Sequence, residues 1–322
     1  MIVRPEEKYE MRILLNKLPI PIKESLDDIG CKPNVLLQSY ISRLPMDGLS
    51  LNADMIFIKQ NSVRLIQALF QISKLKGLSR VTNMLLNVYL YTEKRVWITE
   101  TPLRQLNLSP EILKQIERSN IDWDLILEKD NEDVLDSFYE MASNLKQYEN
   151  DLNEAILKFP RLNDIKVSVQ TITKTFYRIN VLFTPDMKWD HKYHSNYINF
   201  FLFLTDYNGD EIFYEDSIKV KKYHLQNEVN LSFDIELLYP HLPPNLFVVF
   251  KAERWLHCEY KVPVMFMNKI KQIESSLPQP SQVDKESSNK KKKSFTKEIE
   301  KLNIPEFSNI IKNDVNFIEG SN

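Results

Sequence analysis

The sequence predicts an α+β fold with helices first and strands last. Through the first half of the chain, apolar residues recur at steps of three and four, the period of a helix with one buried face. From Ile165 the period changes to two. Ile165, Val167 and Val169 alternate with polar residues, as do Tyr177, Ile179, Val181 and Phe183, and later Val229, Leu231, Phe233 and Ile235. Asn208-Gly209, between FFLFLTDY and EIFYEDSIKV, is a strong hairpin signal. About seven strands in about 100 residues, separated by turn signals, predict an immunoglobulin- or fibronectin type III-like β-sandwich.

Taken in order, residues 6–18 predict a first helix, ended by Pro19-Ile20-Pro21. Pro33 suits the first turn of a second helix, which stops before Pro45. A third runs over 54–76, with Asp54 as its N-cap and Gly77 just past its end. A fourth covers 78–97, with cations gathered at its C-terminal end to complement the dipole. Ser109 caps a short helix with Pro110 in its first position. Residues 1–118 thus form a helical bundle. Two shorter helices, 131–145 and 148–158, make a helical hairpin within 119–163, and the β-sandwich occupies 164–268. The polar, proline-bearing stretch from 269 and the tail to 322 are expected to be a disordered linker and tail. Lys290 to Lys293 fit a nuclear localisation signal, a weak motif in such a tract.

The third helix holds the best functional candidate. Met55, Ile58, Ser62, Leu65, Leu69 and Ile72 predict its inward face, and Gln60, Arg64, Gln67, Gln71 and Lys74 run opposite. No carboxylate follows Asp54 in this helix. A stripe of cations and amides suits a polyanion, because each carboxylate would repel phosphate. The alternative is a solvated face that lacks acids by chance. Asn61, Arg64 and Gln67 are the residues placed to bond phosphate, sugar or base edges.

Composition narrows the remaining classes. The chain has 322 residues, 43% hydrophobic and 27% charged, with a net charge of −2, so any basic surface is local. No apolar run reaches the roughly 18 residues of a membrane span. Cys31 and Cys258 do not make a disulfide framework, and a reducing compartment, cytosol or nucleus, is expected. The five glycines, Gly30, Gly48, Gly77, Gly209 and Gly320, are too scattered for a phosphate-cradling loop, so no ATP site and no cofactor are expected. Asp190, His191 and His194 look like metal ligands without a convergent third, and a structural turn is the simpler reading. His257-Cys258 pairs a thiol and an imidazole that a strand would point apart. No catalytic residues are assigned.

The strings VRPEEKYEM (3–11), LPIPIKES (18–25), NVLLQSYIS (34–42), QNSVRL (60–65), KRVW (94–97), TPLRQL (101–106), LKFP (157–160), TPDMKWD (184–190), LPP (242–244), ERWL (253–256) and VPVMF (262–266) occur in one collinear order. In that order they resemble the Sec-63 homology unit of the large RNA helicases. LPIPIKE and TPLRQL favour the first cassette of the spliceosomal U5 snRNP helicase family. The resemblance implies that the helix at 54–76 is a ratchet helix lying across single-stranded RNA. It carries the family's conserved arginine onto Arg64 and the neighbouring small polar residue onto Asn61. It implies a β-sandwich that braces and docks spliceosomal proteins, and a nuclear, non-membrane location. It also implies ATP-driven helicase activity that resides in RecA-like motor domains, expected before residue 1 and supplied in cis or in trans. The chain is therefore expected to be a portion of a helicase or a free-standing scaffold. At the hairpin tip the family carries a glycine and a basic residue. Here Glu149 and Asn150 stand beside Asp151, which implies a weakened RNA contact. The runner-up is a protein–protein interaction module that has lost RNA binding.

Overall fold

A computed structural model describes residues 1–119, 121–128, 131–173, 175–237 and 246–264. The expected linker and tail at 269–322, with Lys290 to Lys293, lie outside the described residues. The described part is α+β. Its helices are α1 (Lys8–Leu15), α2 (Cys31–Ile41), α3 (Leu49–Leu75), α4 (Ser79–Lys94), α5 (Pro110–Arg118), α6 (Leu125–Glu128), α7 (Asn131–Met141), α8 (Glu149–Lys158) and α9 (His191–His194). Its strands are β1 (Arg161–Thr171), β2 (Phe176–Asp186), β3 (Ile198–Asp206), β4 (Ile212–Val220), β5 (Val229–Glu236), β6 (Leu246–Ala252) and β7 (Glu259–Val264).

The strands form two antiparallel sheets, a three-stranded one in the order β1-β2-β5 and a four-stranded one in the order β4-β3-β6-β7. Alternation puts Tyr177, Ile179, Val181 and Phe183 of β2 on one buried face. They share a core with Phe200, Leu202 and Leu204 of β3 and Val248 and Phe250 of β6, and the Phe183 and Phe250 rings lie 5.3 Å apart. β3 is buried on both faces, which explains its continuous apolar run FFLFL. Its second face, Phe201 and Phe203, packs on Phe70 of α3 and on Leu86 and Leu90 of α4. Phe201 and Phe203 thus fasten the sheet to the helices.

The long helix differs from its expected bounds and its expected face. It begins at Leu49 rather than at residue 54, with Gly48 in the cap position. The Glu10 carboxylate, from α1, accepts the N–H groups of Asp47 at 2.7 Å and of Gly48 at 3.1 Å. That side chain satisfies free donors ahead of the first turn, so Asp54 is not needed as a cap. Asp54 instead bonds Lys32 in the helix interior. At the other end Gly77 has the left-handed φ of +71°, and its carbonyl accepts the N–H of Ile212 at 2.8 Å. Gly77 therefore ends α3 and pins the helical half to the β3–β4 hairpin, in which Gly209 also has φ +71°.

The inward face expected at Leu65 and Leu69 is corrected: they are 52% and 41% exposed. Leu51 and Ile58 pack with Val35 and Leu36 of α2, whereas further along Phe70 packs on α4 and β3. The short α2 covers only the first half of the helix, and the partners of the second half approach from another side. One apolar stripe thus spans a buried and an exposed segment.

Candidate nucleic-acid interface

The open face of α3 carries the expected polar residues in a mixed setting. Gln60, Arg64, Gln67 and Gln71 are exposed, and Asn61 and Lys74 are half-buried. Among the described residues Arg64 makes no ion pair. The Asn61 amide donates to the Phe57 carbonyl at 2.8 Å, one turn back, which turns its oxygen outward as an acceptor. Gln67 lies near the Tyr89 phenol of α4. Lys74 is committed elsewhere. It pairs with Glu215 of β4 at 3.2 Å and lies over the Phe70 and Phe201 rings at 5.6 and 5.5 Å. Its charge braces the helix against the sheet. Gln60, Asn61, Arg64, Gln67 and Gln71 remain as an outward set.

Phe57 went unassigned in the sequence. It is 57% exposed and sits four residues before Asn61 and seven before Arg64, on the same side of the helix. The exposed ring and the exposed guanidinium thus lie two turns apart on one face of the helix. Its apolar character reads as core in the sequence, and only the missing cover reveals it.

At the hairpin, Glu149 and Asp151 occupy the first turn of α8 and are exposed. They complement the helix dipole themselves, filling the electrostatic role that a phosphate would take at that terminus.

The other constellations resolve into structural roles. Asp190 caps α9 by accepting the Lys192 N–H at 2.9 Å. The His194 Nδ1 accepts the Asp190 N–H at 2.9 Å, so Nε2 carries the proton and donates to the Lys158 carbonyl at 2.8 Å. Burial pushes the His194 pKa down and keeps the ring neutral. His191 turns to the Ser195 carbonyl instead. Among the described residues no three potential metal ligands converge. The Cys258 thiol donates to the Pro160 carbonyl at 3.2 Å, and burial pushes its pKa up, the reverse of what a nucleophile needs. Both cysteines are free. No helix among the described residues is long and apolar enough to cross a membrane.

Comparison with known proteins is consistent along most of the chain. Residues 1–265 match the Sec63 Brl domain. The human U5 small nuclear ribonucleoprotein 200 kDa helicase is 32% identical over 284 residues, covering 87% of this chain and 13% of the relative. The Schizosaccharomyces pombe pre-mRNA-splicing factor brr2 is 34% identical over 280 residues, covering 86% and 12%. A Dictyostelium discoideum protein described as activating signal cointegrator 1 complex subunit 3-like is 36% identical over 272 residues, covering 84% and 12%. The chain thus spans 12–13% of the length of these relatives. The chain belongs to the Sec63 Brl domain family.

Proposed function

We propose that this chain is the non-catalytic scaffold portion of an RNA helicase of pre-mRNA splicing, guiding single-stranded RNA across the open face of α3. The observation that carries the reading is Arg64, exposed and without an ion pair among the described residues, on one face with Gln60, Asn61, Gln67 and Gln71 and two turns from Phe57. Arg64 would hold a phosphate, the amides would bond sugar or base edges, and Phe57 would stack a base. Glu149 and Asp151 would keep RNA away from the hairpin. We read the two sheets as a fibronectin type III-like sandwich that docks spliceosomal proteins. The 1-2-5 and 4-3-6-7 strand orders and the shared core between the sheets support that reading. The domain division at 118, 163 and 268 and the nuclear location belong to the same proposal.

Binding to a labelled single-stranded oligonucleotide, followed by fluorescence anisotropy, is expected to fall by about two- to threefold for each phosphate contact between about 50 and 200 mM salt. Arg64→Glu is expected to weaken it by on the order of tenfold or more, because the new carboxylate repels the phosphate that Arg64 held. Binding indifferent to this substitution would overturn the RNA path. The second reading, a protein-interaction module without RNA binding, is favoured by Ile56, Leu65 and Leu69, exposed on the same helix. Complete absence of RNA binding together with retained protein binding would support it.

Catalysis is assigned to RecA-like domains in cis or in trans. The purified chain alone is expected to release no phosphate from ATP, with or without RNA, in a coupled assay. Sustained turnover would refute the scaffold assignment.

A further inference from the structure

A second cationic site lies away from the α3 stripe. A cavity of about 420 Å³ opens among the end of α2, the turn Pro102–Gln105 and the start of α5. Arg43, Arg104 and Lys114 line it together with Asn107, and Leu108 and Leu113 give it an apolar side. Among the described residues no carboxylate lines it.

The charges are unevenly satisfied. Arg104 is bonded by Glu117 at 2.5 and 2.8 Å, with Glu100 at 3.3 Å. Arg43 has only a long 3.4 Å contact to the Lys94 carbonyl, and among the described residues neither Arg43 nor Lys114 has an ion pair. Burial and the neighbouring Arg104 and Arg95 all work against the Arg43 charge, and its pKa is lowered in spite of Glu100 and Glu117. Of the three cations that line the cavity, Arg104 is ion-paired, and among the described residues Arg43 and Lys114 are not. Such a cluster gains when an anion enters.

We propose that this cavity binds the phosphate of a phosphorylated serine or threonine carried by a partner protein. A phosphate monoester brings nearly two negative charges and three acceptor oxygens, which match the Arg43 fork, the Lys114 ammonium and the Asn107 amide. A monoester fits such a recess better than an RNA backbone does. A phosphodiester is tied at both ends to a chain that runs along a surface, whereas a monoester ends a side chain and can enter a recess. Leu108 and Leu113 would pack the apolar stem or neighbouring residue of the phosphorylated side chain.

The test uses the full chain, labelled with nitrogen-15, and a five-residue peptide centred on phosphoserine with leucine on both sides. Titration is expected to shift the amide signals of Arg43, Asn107, Leu108 and Lys114, and the unphosphorylated peptide is expected to shift none of them. Lys114→Gln, at an exposed helix position, is expected to weaken binding at least threefold. Arg43→Asn is expected to weaken it at least tenfold. Asparagine tolerates the left-handed φ of +56° at residue 43, so the turn is kept. Inorganic phosphate binding as tightly as the peptide would overturn the proposal in favour of a free-anion site. Single-stranded RNA competing at the same amides would overturn it in favour of nucleic acid, and equal response to both peptides would overturn it outright.

Discussion

Lys32→Ala is expected to cost about 3–5 kcal/mol of folding stability, the cost of stranding buried carboxylates. Lys32 is fully buried, and its ammonium lies 2.6 Å from both Glu7 and Asp54. Glu7 also accepts from the Ser50 hydroxyl at 2.6 Å and the Arg4 N–H at 2.9 Å. These bonds join the N-terminal turn Pro5–Glu7, the start of α2 and the second turn of α3, all packed on Met11, Leu14 and Leu51. Without the ammonium, two carboxylates share the half-exposed Arg4 guanidinium, 2.8 Å from Glu7 and 3.6 Å from Asp54. Urea unfolding at pH 7 measures the loss.

The pH dependence separates this cause from lost packing. In the native protein burial works to raise the Glu7 pKa, but the bonds from Lys32, Ser50 and Arg4 outweigh it and hold it at about 2. Glu7 therefore contributes stability that is full above its unfolded value near 4.5 and is lost as the pH falls toward about 2. A displacement of that size corresponds to about 3 kcal/mol. In Lys32→Ala the Ser50 and Arg4 bonds remain, the Arg4 guanidinium among them at 2.8 Å, and the Glu7 pKa is expected to rise toward its ordinary value. The stability lost as the pH falls then becomes smaller in the variant. Glu7→Gln added to Lys32→Ala is expected to recover part of the loss at pH 7. An unchanged pH profile in Lys32→Ala would refute the role given to the ion pairs.

The parts of the fold that could be read from sequence are those fixed by local chemistry. The alternation in β2, the Asn208-Gly209 hairpin, the Ser109 cap with Pro110 and the Gly77 terminus need only nearby residues. The Ser109 hydroxyl accepts the Ile112 N–H at 3.4 Å. What escaped was decided across the fold. Asp54 has the composition of a cap, but Glu10 of α1 starts the helix a turn earlier. Leu65 and Leu69 have core spacing, but α2 is too short to cover them. In the candidate interface, the outward direction of Arg64 and Gln60 follows from their spacing. The pairing of Lys74 with Glu215, 141 positions later in the numbering, does not. Seven of the eight residues that line the cavity beside Arg43 lie within 104–114, but Arg43 itself comes from the end of α2, so that stretch alone does not signal it.

Trp255→Ala is expected to cost about 3–5 kcal/mol, the range for removing a large buried aromatic residue. The indole is 3% exposed and stands at a junction. Phe159, which ends α8, meets it edge-on at 5.4 Å, His194 of α9 stacks on it at 5.5 Å, and Lys94 of α4 lies over it at 5.8 Å. The bundle, the hairpin and the sheet region therefore lose a common partner together. At roughly 2–4 °C per kcal/mol for a chain of this size, the thermal midpoint is expected to fall by on the order of 10 °C. Two local readouts distinguish an opened junction from general loosening. Cys258, three residues on and 1% exposed, is expected to react faster with a thiol reagent. His194, whose pKa burial now depresses, is expected to titrate closer to 6.5. That change has a definite sign. In the native protein the unfolded chain takes up the His194 proton first, so stability declines as the pH falls below 6.5. Admitting water beside the imidazole narrows the gap between the two states, and the decline becomes shallower in the variant. A normal His194 titration in the native protein would remove the basis for this coupling, and an unshifted midpoint would show that the indole does not hold the three elements together.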